Sequence, residues 1–222
     1  WIDGNLPYPC NSAGPSVTIA PGEKMITMPR EERRAYLARL RPYLTASVLL
    51  FGSGILIGLM IVSRFPGLGD SFEQTIGAFV KTFSGLPRLK LAAAIFLNNA
   101  VKTLLAIFLG TILGIIPGFF LLANGVALGI AWSLSANARG AWFSLLSIVP
   151  HGVLELPAVF LGTSIGLMIG VQALKRLAGR ANTTIGAELA QGLRYFCTVI
   201  LPLLLVAALV EAFVTAALVV PR

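Results

Sequence analysis

Charge is scarce in this chain. Asp, Glu, Lys and Arg make up 12% of its 222 residues, whereas a soluble domain carries about 25%. None of the four types occurs from Pro42 to Ser63, from Thr103 to Ala138, from Leu156 to Leu174 or from Tyr195 to Val210. Such a chain cannot coat a water-soluble globule. Histidine is scarcer still, with His151 alone. A catalytic zinc takes three protein ligands, histidine prominent among them, so a metal centre has little to build on. HExxH and glycine-rich nucleotide loops are missing, which removes the common zinc-hydrolase and nucleotide-binding signatures. Cys10 lies in a polar tail and Cys197 in an apolar run, so no disulfide framework is implied. Acidic residues number 9 against 17 basic ones. On a soluble protein that surplus suggests nucleic acid. Here the cations gather at the ends of apolar runs, where anionic headgroups and topology signals require them. Membrane lipid, not nucleic acid, is the expected neighbour.

What is present is apolar: 56% of the residues are hydrophobic. Runs of about 20 such residues match the thickness of a bilayer core. The expected fold is an all-α polytopic membrane protein with about five transmembrane helices and amphipathic surface helices. Residues 1–28 have no hydrophobic period and neither the basic start nor the apolar core of a signal peptide. They read as a disordered tail or as sequence foreign to the native chain. Residues 29–42 read as a basic interfacial helix. Pro29 suits its first turn, with Glu31 and Glu32 following. Residues 43–222 form the transmembrane bundle.

The first span is expected from Tyr43 to Ser63, followed by the breaker Pro66-Gly67-Leu68-Gly69. Ser71 and Gln74 fit a capping box, opening an amphipathic helix over 71–84 that is too short to cross. The second span runs from Leu89 to Leu113 and the third to Leu134. The fourth lies within Phe143 to Val171 and is expected to break at Pro150-His151-Gly152. Residues 172–194 read as a basic loop, and the last span runs from Tyr195 to Val220. Ten cations then fall on the N-terminal side (Lys24, Arg30, Arg33, Arg34, Arg39, Arg41, Lys175, Arg176, Arg180 and Arg194). Five fall on the other (Arg64, Lys81, Arg88, Lys90 and Arg139). The positive-inside rule places the N-terminus in the cytoplasm of a multi-pass cell-membrane protein.

Two groups of residues stand out. Glycines recur four apart at Gly54/Gly58, Gly110/Gly114, Gly125/Gly129, Gly162/Gly166 and Gly166/Gly170. That spacing cuts a groove into a helix and lets a second backbone approach, within one bundle or across a homodimer. Polar residues also sit at membrane depth: Asn98, Asn99, Lys102, Asn124, His151, Glu155 and Glu211. An ionisable group there is costly and marks a candidate site. His151 and Glu155 are four apart and share a helix face. Pro150 and Gly152 loosen the backbone beside them, and freed backbone groups survive in a membrane only in a protein-lined or water-lined place. Three readings follow: a buried structural network, a path for ions or protons, or a metal or hydrolytic site with His151, Glu155 and Glu211 as weak candidate ligands.

Four segments carry a resemblance: Phe96-Leu97-Asn98-Asn99-Ala100; Leu122-Ala123-Asn124-Gly125; Val149-Pro150-His151-Gly152-Val153-Leu154-Glu155-Leu156-Pro157-Ala158; and Val210-Glu211-Ala212-Phe213-Val214-Thr215. In order and spacing, over about residues 43–220, they resemble the stage II sporulation protein M family of integral membrane proteins. The resemblance implies a helical anchor of about five spans. In spore formers such an anchor recruits a peptidoglycan-degrading partner and a second membrane-tethered protein. It implies no catalysis and no cofactor. The expected function is therefore a non-catalytic scaffold for membrane proteins, with a homo-oligomer among its assemblies. The competing expectation is a transporter or channel lined by the His151, Glu155 and Glu211 constellation.

Overall fold

The computed structural model describes residues 28–65, 67, 86–181 and 183–215. The N-terminal tail and the amphipathic helix expected over 71–84 lie outside the described residues. Those described form α1 (Arg30–Arg64), α2 (Arg88–Leu109), α3 (Ile115–Arg139), α4 (Ala141–Leu177), α5 (Ile185–Tyr195) and α6 (Leu201–Val210). Two π-helical stretches, Phe196–Ile200 and Glu211–Thr215, extend α5 and α6. Among the described residues there is no strand, and five helical segments are long and apolar enough to cross a bilayer, α5 and α6 counting as one.

Several element boundaries differ from those expected, each for a local reason. The basic stretch at residues 30–42 is not a separate surface helix but the start of α1, which runs unbroken through Pro42 for 35 residues. At about 1.5 Å per residue α1 is some 52 Å long, against a hydrocarbon core of about 30 Å. Its charged first turns therefore stand outside the bilayer. Residues 172–194 are not one loop. α4 continues to Leu177, and α5 begins at Ile185. Thr184 opens α5 by accepting a hydrogen bond from the Ala187 N–H at 3.2 Å, the standard use of a threonine N-cap.

The break expected at Pro150-His151-Gly152 is absent from the backbone, because α4 is helical throughout its 37 residues. A proline removes one backbone donor, and membrane helices absorb that loss through their surroundings. Among the described residues Gly152 approaches no second backbone: a Cβ there would meet nothing nearer than Leu156 Cδ1, at 3.4 Å. The chain loosens instead at Phe196–Ile200. There the Leu201 N–H reaches back to the Phe196 carbonyl, an i to i−5 bond. Pro202 follows directly, and a wider turn gives its ring room against the carbonyl four residues back.

Short turns make α2 and α3 neighbours, and α3 and α4 neighbours. Leu113 and Gly114 adopt positive φ (52° and 72°) between the first pair. Gly140, at φ 87°, is the whole connection between the second. α4 lies at the centre: 56% of its spanning segment is buried, against 28–33% for the other four. The densest core gathers Tyr36 and Leu40 of α1, Ile107 of α2, Ile165, Met168 and Ile169 of α4, Tyr195 and Phe196 at the end of α5, and Ile200 and Leu204 beyond.

Glycines set the two tightest seams. Along α1 and α3, Gly54 faces Gly125 and Gly58 faces Gly129. A Cβ on Gly54 would lie 3.0 Å from the Gly125 Cα and closer still to the Leu122 carbonyl oxygen. A Cβ on Gly125 would press into the Phe51 carbonyl in return. Between α2 and α4, Gly110 faces Gly166 and the Ala106 carbonyl lies against Gly166. Gly114 faces Gly170, and Gly162 meets the Thr103 methyl. Apolar helices gain no hydrophobic energy from pairing in lipid, so close van der Waals contact does the work. These pairs are engaged within one chain.

Candidate functional site

The polar residues at membrane depth divide into two sets. Asn98, Lys102 and Asn124 are exposed on the outside of the bundle. The Asn98 side-chain amide donates to Asn99 Oδ1 at 3.2 Å. That of Asn124 donates to the Phe120 carbonyl one turn back in its own helix, at 2.7 Å. Asn99 and Glu155 point inward, 9% and 8% exposed. Glu211 is half-buried in the final π-helical stretch. That stretch packs on both α2 and α4, so the helices bearing Asn99, Glu155 and Glu211 meet while Lys102 and Asn124 face away. Glu155 and Glu211 are each engaged in interactions. The side chain of His151 lies outside the described residues. Among the described residues, no three of His, Cys, Asp and Glu come together where a metal ion could sit.

The interior between α1 and α4 is crossed by hydroxyls. Ser47 and Ser164, both fully buried, share a hydrogen bond at 3.1 Å. Ser164 and Thr163 also donate to carbonyls of the preceding turn, Phe160 and Val159. Bonds of this kind satisfy a hydroxyl without a water-filled space.

The best-formed polar cluster lies elsewhere, where α5 meets the first turns of α1. Glu188 is 2% exposed, and its Oε1 accepts from Arg39 Nη2 at 2.6 Å and from Thr183 Oγ1 at 2.9 Å. Arg39 reaches Gln191 Oε1 with its other terminal nitrogen, also at 2.9 Å. Tyr36 packs beneath, its ring 5.1 Å from that of Tyr195 and 5.8 Å from the Arg39 guanidinium carbon. Arg194 pairs with Glu32 at 3.3 Å. Gly192 makes room for the assembly, since a Cβ there would lie 3.4 Å from the Tyr36 hydroxyl and 2.7 Å from an Ile165 methyl.

Sequence reasoning passed over this cluster, because residues 172–194 looked like loop. The available signal was Thr184 as a cap followed by Ile185, Leu189, Gly192 and Tyr195–Phe196, an apolar face at helical spacing.

Such a cluster can clamp two helix ends together: it holds one buried carboxylate, its cations and two phenol rings in tilted contact. The bundle around it, with five apolar helices, is that of a multi-pass membrane protein. Comparison with curated proteins and with solved structures gave no match. A family model described as stage II sporulation protein M matches residues 47–216, covering most of the chain, with the C-terminal half of the first spanning segment and the other four whole. By that match the chain belongs to the stage II sporulation protein M family.

Proposed function

We propose that this chain is a non-catalytic membrane scaffold, a stiff five-helix anchor that holds partner proteins at the bilayer with its N-terminus in the cytoplasm. One observation carries the reading: Lys102, which a transport path was expected to use, faces away from the interior into which Asn99 and Glu155 point. Asn98, Lys102 and Asn124 are exposed on the outer surface, while glycine seams bring backbones into contact inside. A helix bundle built this way resists the rearrangement that alternating access requires. Polar groups facing outward at membrane depth are costly in lipid and are relieved by a neighbouring protein helix. The charge asymmetry of ten cations against five, counted over short segments, supports the orientation.

The test is flux. The chain is reconstituted in liposomes, and proton and divalent-cation movement is measured beside Glu155→Gln. The scaffold reading expects no flux above empty vesicles for either protein. Flux abolished by Glu155→Gln in a still-folded protein would overturn it in favour of a transporter.

A further inference from the structure

We propose that the exposed Asn98–Lys102 face of α2 docks a transmembrane helix of a different protein, one that carries a carboxylate at the same depth. The inference rests on the scaffold reading and names the chemistry of its partner.

Lys102 is exposed and holds no hydrogen bond or ion pair among the described residues. Its surroundings are apolar and face outward: Leu97, Val101, Leu105 and Phe108 are 58%, 52%, 49% and 40% exposed. Asn98 lies one turn before it, on the same face. By helical rise, seven residues put Lys102 about 10 Å from the Leu109 end of α2, and fourteen put it about 21 Å from the Arg88 end.

A lysine near a membrane surface escapes by extending its stem to the headgroups. Two features of α2 work against that here. A helical side chain leans toward the N-terminus of its helix, which for Lys102 is the distant surface, beyond the reach of a four-carbon stem. The turn past the near end is itself uncharged, with Ile112 and Ile115 50% and 64% exposed, so the water boundary lies further off than Leu109. The lean carries the ammonium toward Asn98 instead. Together they form a cationic, hydrogen-bonding patch in an apolar surface.

Charge complementarity selects the occupant. A carboxylate on a neighbouring helix would pair with the ammonium and accept from it where water does not compete. The described residues of a second copy of this chain do not supply one. Among its described acidic residues, Glu155 and Glu188 are buried, Glu211 is half-buried in the last π-helical stretch, and Glu31 and Glu32 sit in the first turn of α1. None is exposed at the depth of Lys102. The partner is therefore a different chain, with one acidic residue in an otherwise apolar span.

The test uses the full chain in phosphatidylcholine vesicles. The probe is a synthetic single-span Leu/Ala helix with one glutamate about seven residues from its end, beside a glutamine twin. Association is read by energy transfer between labelled probe and labelled protein. The glutamate helix is expected to bind at least about tenfold more tightly than its twin, since polar contacts between membrane helices reach ~1–2 kcal/mol and 1.4 kcal/mol is tenfold. Lys102→Leu should erase the difference and Lys102→Arg should keep it. Both substitutions lie on the outer surface and spare the packing. Equal binding of the two probes overturns the proposal, as does a preference that survives Lys102→Leu. Loss of the preference when anionic lipid is added would make a lipid phosphate the ligand and overturn it. Self-association removed by Lys102→Leu would do so in favour of a second copy. Each of these results leaves the flux measurement, and with it the scaffold reading, standing on its own.

Discussion

The two ends of α1 face the same task, holding a neighbouring helix, and accomplish it with different chemistry. Toward its C-terminal end, Gly54 and Gly58 press against Gly125 and Gly129 of α3 with nothing but backbone between them. At its N-terminal end, Tyr36, Leu40 and Arg39 engage α5 through tilted ring contact and an ion pair to the buried Glu188. The solvent accounts for the difference. In hydrocarbon, removing apolar surface from lipid gains little, so stability comes from the number of atoms brought within van der Waals range. Past the headgroups water returns, aromatic burial becomes favourable, and a charge can be carried into the contact if it is paired. One helix thus records where the bilayer ends. The change falls between Leu40 and Ser47, where the charged residues stop.

The most damaging way to break this contrast is to widen the glycine seam. Gly125→Leu and Gly54→Leu each place a branched side chain where a Cβ alone already meets backbone. Since backbone atoms cannot swing aside as a side-chain tip does, we expect loss of the α1–α3 contact and a cost beyond the ~1–3 kcal/mol of ordinary overpacking. The measurement is thermal unfolding in detergent. Gly52→Leu is the control on the same helix: among the described residues a Cβ at Gly52 meets nothing within 4 Å, and the midpoint should stay near wild type. Equal losses at positions 52 and 54 would show that the seam is not what the leucine disrupts.

Next in size is the clamp outside the bilayer. Glu188→Ala removes the acceptor for both Arg39 and Thr183 and leaves a gap beside Tyr36. The expected loss is about 1.5–3 kcal/mol, the range for a hydrogen bond to a charged group. Arg39→Ala should cost at least as much, because it leaves the Glu188 carboxylate, 2% exposed, without its cation. Added salt sharpens the comparison: it should lower the midpoint of wild type slightly, leave Glu188→Ala unaffected, and do nothing to the penalty of Gly125→Leu. A glycine-seam variant whose penalty varied with salt would contradict the assignment of that seam to the bilayer interior.

A smaller effect belongs to the hydroxyl bridge between α1 and α4. Ser47→Ala leaves Ser164 its bond to the Phe160 carbonyl. The loss should be about 0.6 kcal/mol, typical of interhelical hydrogen bonds in membrane proteins. Ser47→Ala and Ser164→Ala together should cost little more than either alone. Additive losses in that double-mutant cycle would rule out a shared bond.

How much of this was legible in the sequence follows the same division. Apolar runs and four-residue glycine spacings are local patterns, and the helical fold can be argued from them, while the family resemblance rests on the four segments around Asn98, Asn124, His151 and Glu211. Which glycine faces which is a tertiary matter, since Gly54 and Gly125 are brought together only by the packing of α1 on α3. The orientation of polar residues was less legible still. Asn98, Asn99 and Lys102 sit within five residues, yet one is buried and two are exposed, because a helix turns each by about 100° and α2 is covered on one side only. The α1–α5 clamp escaped notice for a different reason. Its partners are up to 162 residues apart, and Glu188 is an ordinary surface-type residue until Arg39 arrives. At Pro150 a local rule pointed the wrong way: one missing donor did not interrupt a 37-residue helix.

The smallest predicted effect tests the clamp most closely. The Tyr36 hydroxyl is buried and lacks a hydrogen-bond partner among the described residues, although its ring meets that of Tyr195 at a 44° tilt and lies near the Arg39 guanidinium. If the ring supplies the packing and the hydroxyl only carries a desolvation cost, Tyr36→Phe should be neutral or raise stability by up to about 1 kcal/mol, within the penalty for an unsatisfied buried group. Tyr36→Leu keeps an apolar side chain but gives up the ring contact, and should lower stability instead. Opposite signs for the two substitutions in one unfolding series would separate ring from hydroxyl. A clear loss in Tyr36→Phe would mean that the hydroxyl is satisfied, most simply by an ordered water shared with Glu188, whose Oε2 is also buried without a partner among the described residues. The clamp would then be a hydrated network, unlike the dry seam at the other end of α1.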